Sequence, residues 1–221
     1  MKIMMTLLAA TTALVAAAPA SATLLDGSFE AQGAAGNQCS GASCPQVPWA
    51  VQGRAGFLLD PGFNVSTPAG DYYAYLQSIG TATGSISQTF SLNQGVYNLG
   101  FLAAGRNQSG SYANISFNGA LTYDVLFDGV SVFSETTVTN SPFAQRIVNG
   151  INVTTTGLHT LTFASRSIAA NRNAIAVLDN VSFTAAGAVP ETATWGMMIA
   201  GFGMMGAALR TRRRSTKVTF A

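Results

Sequence analysis

The chain has 221 residues, 48% of them hydrophobic and only 9% charged, against about 25% charged in an ordinary soluble domain. That length supports one domain with a real core, and the abundance of Gly, Ser, Thr and Asn points to short strands and many turns rather than a helical enzyme. The formal charge of +2 sits at the two ends: between Thr23 and Val189 five arginines stand against eight acids, a net of −3, which excludes a basic surface for nucleic acid.

Residues 1–22, MKIMMTLLAATTALVAAAPASA, place Lys2 ahead of an apolar and small-residue run. Ala20 and Ala22 complete the A-x-A pattern that a signal peptidase accepts, so the segment predicts a secretory signal cleaved before Thr23. The run is too short, and too clearly ended, to favour an N-terminal membrane helix. Cys39 and Cys44 are the only cysteines. In an oxidising compartment they predict a small disulfide loop; a metal pair or redox site is disfavoured by the spacing and the lack of accompanying ligands.

From residue 23 to 184 alternation dominates. "SISQTFSL" (85–92) separates Ile86 and Phe90 from Ser87 and Thr89, and "YANISF" (112–117) and "LTYDVLFDG" (121–129) behave alike. "GLHTLTFAS" (157–165) sets Leu158, Thr160, Thr162 and Ala164 against His159, Leu161 and Phe163, and "AIAVLDNVSF" (174–183) closes the domain. Asp128-Gly129 between two such runs predicts a tight hairpin. Nine or ten strands without an intervening helix predict an all-β fold, an antiparallel jelly-roll β-sandwich.

This stretch resembles the galactose-binding-like group of carbohydrate-binding modules. The likeness rests on "LLDGSFE" (24–30), "YDVLFDGVSVFSE" (123–135) and "HTLTFASRSIAANRNAIAVLDNVSFT" (159–184). It implies that the first and last strands lie side by side and that acids near them hold a structural calcium. Glu30 and Asp179 are the matching positions, and calcium takes carboxylate and carbonyl oxygens of this kind.

Catalytic signals are weak. His159 is the only histidine and stands at a strand start beside Gly157, the setting of a turn or surface residue more than of a base. No serine sits in a G-x-S-x-G turn, and most acids lie in turn contexts. Binding fits better: aromatic faces stack on sugars, and Arg and Asn bond hydroxyls. Candidates are Trp49 in the loop region 31–56, Tyr72 in "DYYAYLQ", Arg106 and Asn107 in "GRNQSG", and Arg172 in "SRSIAANRN". Tyr73 and Tyr75 share one sheet face and read equally as core.

Residues 185–194 read as a linker. Beyond it, Gly201, Gly203 and Gly206 match a G-x-G-x-x-G dinucleotide spacing, but no strand precedes them and no acid follows Glu191, so that match is coincidental. Residues 195–209 instead form an unbroken apolar run, about 22 Å long as a helix. Trp195 at one end and Arg210, Arg212, Arg213 and Arg214 at the other would extend its reach toward a ~30 Å hydrocarbon core by snorkelling. The arginine-rich tail, 210–221, is expected to stay cytoplasmic. An amphipathic surface helix is disfavoured because the run has no polar face.

Pro190-Glu191, Trp195, "WGMMIAGFGMMG" and the arginine cluster together resemble the PEP-CTERM sorting signal of Gram-negative bacteria. Thr192 stands where that pattern has its second proline. The resemblance implies processing by an exosortase, an inner-membrane intermediate, and delivery to the cell surface or extracellular matrix, in a family associated with exopolysaccharide and biofilm. The sequence therefore reads as an exported non-enzymatic protein with a polysaccharide-binding sandwich. The alternatives are a secreted glycan-active hydrolase and a permanently membrane-anchored adhesion protein. Intact mass of the mature protein is expected to show loss of residues 1–22 and of everything beyond the Pro190-Glu191 region; a mass that retains 195–209 favours the anchored alternative.

Overall fold

The computed structural model describes residues 24–31, 38–61, 65–105, 110–112, 115–117, 120–170, 172–186, 198–206 and 210. Its strands are β1 (Gln38–Ser40), β2 (Ala50–Gly53), β3 (Ala55–Leu59), β4 (Tyr72–Ile79), β5 (Gly84–Leu92), β6 (Gly95–Gly105), β7 (Gly110–Tyr112), β8 (Ile115–Phe117), β9 (Thr122–Phe127), β10 (Val130–Thr136), β11 (Ala144–Val153), β12 (Gly157–Ser165) and β13 (Arg172–Ala185). One sheet runs β1-β3-β4-β13-β6-β11, with β7 and β8 attached to β13 through β8; the other runs β10-β9-β12-β5-β2. All pairs are antiparallel except β13 with β8. The all-β, two-sheet sandwich is therefore present.

The period-2 pattern decides which side chains fill the space between the sheets. Ile86 and Phe90 of β5, Leu161 and Phe163 of β12, and Tyr123 and Val125 of β9 point inward and are buried. Phe101 of β6 meets Phe163 edge-on at 5.2 Å, joining the two sheets. Asp128 and Gly129 take positive φ values of 50° and 80°, as a two-residue hairpin turn between β9 and β10 requires.

Some elements differ from the sequence reading. The region read as loop, 31–56, contains β1 and β2, and the run 112–117 read as one strand is divided between β7 and β8. These strands have three or four residues, too few for alternation to declare itself. Cys39 and Cys44 are joined in a disulfide beside the β1 edge. β13 is buried on both faces from Asn173 to Asp179, because Val65 and Phe143 cover the outer face of its sheet over Tyr73, Tyr75, Ile175 and Val177. The chain opening lies against the last strand, Val181 N–H donating to the Gly27 carbonyl at 2.8 Å.

Residues 198–206 are helical and expose Ile199, Phe202 and Met204. Among the described residues no helix is long and apolar enough to cross a membrane. Ala20, Ala22, Pro190, Glu191, Trp195, Arg212, Arg213 and Arg214 lie outside the described residues, as do Arg106 and Asn107.

Candidate functional site

The edge strands β10 and β11 belong to different sheets and face one another along one side of the sandwich. Near one end they are pinned together. Arg146 of β11 donates two hydrogen bonds to Glu135 of β10, Nε to Oε2 at 2.7 Å and an outer nitrogen to Oε1 at 2.6 Å. Tyr123 Oη donates to the same Oε2 at 2.8 Å. Burial opposes ionisation of Glu135, but the Arg146 and Tyr123 hydrogen bonds outweigh it and hold the carboxyl below the usual range. Burial, the hydrogen bond to Glu135 and its charge push the Tyr123 phenol up, so that hydroxyl stays a donor.

Away from this clamp the two strands enclose a cleft of about 470 Å³, within the ~300–1,000 Å³ typical of small-ligand sites. A β-bulge interrupts each edge strand at the cleft: in β10 between Ser131 and Phe133, in β11 between Val148 and Ile151. Bulges bend an edge and re-aim side chains. The residues they leave out of register, Val132 on one side and Asn149-Gly150 on the other, line the cleft. Gly150 has φ of 77°, a conformation glycine adopts without strain, and its N–H donates to Asn98 Oδ1 at 3.2 Å. Val130, Val148, Ile151 and Val153 add aliphatic wall; Asn152, Thr154 and Thr155 stand at exposed positions along its rim.

His159 closes one end. Its Nδ1 lies 2.7 Å from Asp128 Oδ2 and its Nε2 lies 2.9 Å from the Thr155 carbonyl. Both partners can only accept, so holding both bonds requires a proton on each nitrogen. The Asp128 hydrogen bond, against the opposing effect of burial, raises the His159 pKa above 6.5. Asp128 Oδ1 also accepts from Thr160 N–H at 2.9 Å. The ring stacks on Phe127, which stacks in turn on Phe183, each pair 5.5 Å apart. His159 is thus a buried tie between two turns, not the surface residue its position in the sequence suggested. With both nitrogens engaged it has none left for base chemistry.

The five ligand candidates do not form one site. Trp49 is wholly buried between Phe29 and Phe163, with its indole N–H given to the Asp26 carbonyl, so its reading as a sugar platform is corrected to core. Tyr72 and Arg172 stand at opposite ends of the β4–β13 pair, since Asn173 opposes Ile79 and Leu178 opposes Ala74. Arg172 is exposed and pairs with Ser116 of β8. The cleft residues Asn149, Asn152, Thr154 and Thr155 were not singled out. The readable signal was Asn149-Gly150, a turn dipeptide inside a strand-like run, which marks a bulge.

Glu30 and Asp179 do come together. Glu30 Oε1 accepts from the N–H groups of Asp71 and Tyr72, both at 3.0 Å, and packs against Gly70, where a Cβ would collide with it. Asp179 is fully buried, receives the Thr67 hydroxyl on one oxygen and takes the Asn180 N–H on the other at 2.6 Å. Burial first, then the Glu30 charge, push its pKa up to about 6, against the pull of those two hydrogen bonds. At neutral pH the fold therefore carries a costly buried anion beside a second carboxylate. A hard cation would relieve it, and these donors suit calcium in kind, although among the described residues no group of three acids, histidines or cysteines gathers around one point.

No family model matches the chain, and neither does any curated protein. Among solved structures it is similar to TmCBM61, a carbohydrate-binding module solved in complex with β-1,4-galactotriose. The identity is 16% and the TM-score 0.51, over 73% of this chain and 97% of that one. It is also similar to the Stig cyclase Fisc from Fischerella sp. TAU, solved with (3Z)-3-(1-methyl-2-pyrrolidinylidene)-3H-indole, at 17% identity and a TM-score of 0.52, over 77% and 100%. These likenesses establish the fold, which a binding module and an enzyme share, so function has to be argued from the site.

Titration of the His159 ring by NMR is expected to give a midpoint above 6.5, and Asp128→Asn should lower it. Because the folded value is the higher one, its stabilising effect is complete below pH 6.5 and is lost as pH rises through the folded midpoint. A midpoint at or below 6.5 contradicts the two-acceptor geometry.

Proposed function

We propose that this is an exported, non-enzymatic protein of the cell surface or extracellular matrix, whose jelly-roll sandwich binds polysaccharide in the β10–β11 cleft. Its C-terminal segment is the sorting signal: a signal peptidase removes residues 1–22, the apolar 195–209 segment holds the inner-membrane intermediate, and an exosortase processes the tail. The observation that carries the binding role is the cleft itself, with an amide and hydroxyl rim over an aliphatic wall. TmCBM61, with the same fold, is a module solved holding a β-1,4-linked sugar.

Two features support binding over hydrolysis. A glycosidase places two carboxyl groups across a cleft. Among the described lining residues Asp128 is the one carboxylate, already bonded to His159 and Thr160. His159, for its part, has no free nitrogen with which to take a proton.

A glycan panel is expected to show binding without turnover. Asn149→Ala and Asn152→Ala, both at exposed positions, should each weaken binding about three- to tenfold, the value of one lost hydrogen bond, with thermal stability unchanged. Product release from any bound glycan, or undiminished affinity in both variants, contradicts the proposal.

Calcium belongs to the same reading. Glu30 and Asp179 would hold it, and the ion would supply the positive charge that offsets the cost of the buried Asp179 carboxylate. Saturating calcium should stabilise the protein by about 2–3 kcal/mol at a hundredfold excess over Kd. Asp179→Asn, which keeps the shape and removes the charge, should abolish the gain. Equal melting temperatures with calcium and with chelator would exclude the ion.

A further inference from the structure

We propose that the β10–β11 cleft selects a sugar bearing a methyl group, either a 6-deoxy carbon or an acetyl substituent; this rests on the carbohydrate reading above. Two kinds of surface meet in the cleft. The β11 bulge and the turn after β11 bring Asn149, Asn152, Thr154 and Thr155, which can bond hydroxyls. The remaining wall is aliphatic: Val130 and Val132 from β10, Val148, Ile151 and Val153 from β11.

An aromatic ring is the usual partner for the C–H face of a pyranose. Phe127, the aromatic ring of the lining apart from His159, is 7% exposed and already stacked on His159 and Phe183. It offers no open face. The His159 nitrogens are held by Asp128 and Thr155 and so give nothing to a ligand. The ligand must therefore match methyl groups along the wall and amides and hydroxyls at the rim.

A fully hydroxylated hexose fits this poorly. A hydroxyl turned to the valine wall meets no side-chain donor or acceptor there, and losing its water without replacement is costly. A methyl in the same place loses nothing and gains van der Waals contact and burial. The β10 bulge strengthens the point, since it spends an out-of-register residue on placing Val132 at this wall.

The test titrates the full chain with two matched pairs: L-fucose against L-galactose, which differ by one hydroxyl, and N-acetyl-D-galactosamine against D-galactose. The methyl-bearing member of at least one pair should bind about ten- to a hundredfold more tightly, and the pair that shows it identifies the source of the methyl. Val130→Thr and Val132→Thr keep the shape of the wall and add a hydroxyl to it. Both positions are partly or wholly exposed, and in the double variant the preference should fall below about threefold. Binding of all four sugars with ratios near one overturns this inference and leaves the carbohydrate reading intact. A preference that survives both threonines also overturns it, because the selecting surface then lies elsewhere. No binding of any sugar, β-1,4-galactotriose included, overturns the carbohydrate reading and this inference with it.

Discussion

The clamp of Glu135, Arg146 and Tyr123 is the contact on which the site depends. Two sheets packed through Phe101, Phe163 and their neighbours would otherwise be free to close or splay at the side where β10 and β11 end them. The bidentate bridge fixes their separation at one point. Its side chains are about three-quarters buried, and removing one partner of so enclosed a pair leaves a charge poorly solvated. Away from the clamp both edges carry a bulge, and the cleft lies there.

The same bulges deal with a second problem. Free strand edges invite pairing with other chains, and bulges, by bending the edge and breaking the ladder, discourage it. Here both exposed edges on this side carry one. The bent edges are also what bring Val132 and Asn149 to the cleft. Protection of the edge and formation of the site come from one backbone feature.

Much of this was legible beforehand because period-2 alternation is a strong signal over eight or nine residues. β5 and β12 were read with the correct faces, and the Asp128-Gly129 hairpin with its correct turn. The Cys39–Cys44 pairing was expected if the chain meets an oxidising environment, and the structure has it. The three-residue strands could not be read, since so short a run carries no period. Trp49 was misjudged because a tryptophan in a polar, Gly-rich stretch looks exposed; only the packing of Phe29 and Phe163 around it reveals a core residue. The cleft was hidden for a different reason: its lining comes from β9, β10, β11, β12 and the turns between them, and their meeting is a property of the two sheets, not of any local pattern. Glu30 and Asp179 were singled out through family resemblance, and their proximity depends on the opening segment lying against β13.

The cleft as the ligand surface is the central claim, and amide chemical-shift mapping tests it most directly. The labelled protein would be titrated with the tightest-binding sugar of the panel. The account predicts that the largest shifts gather at Asn149–Thr155 and Asp128–Val132, with small changes over β2, β4 and β5. Shifts centred instead on the loops around Arg172, with the β10–β11 edge silent, would contradict it.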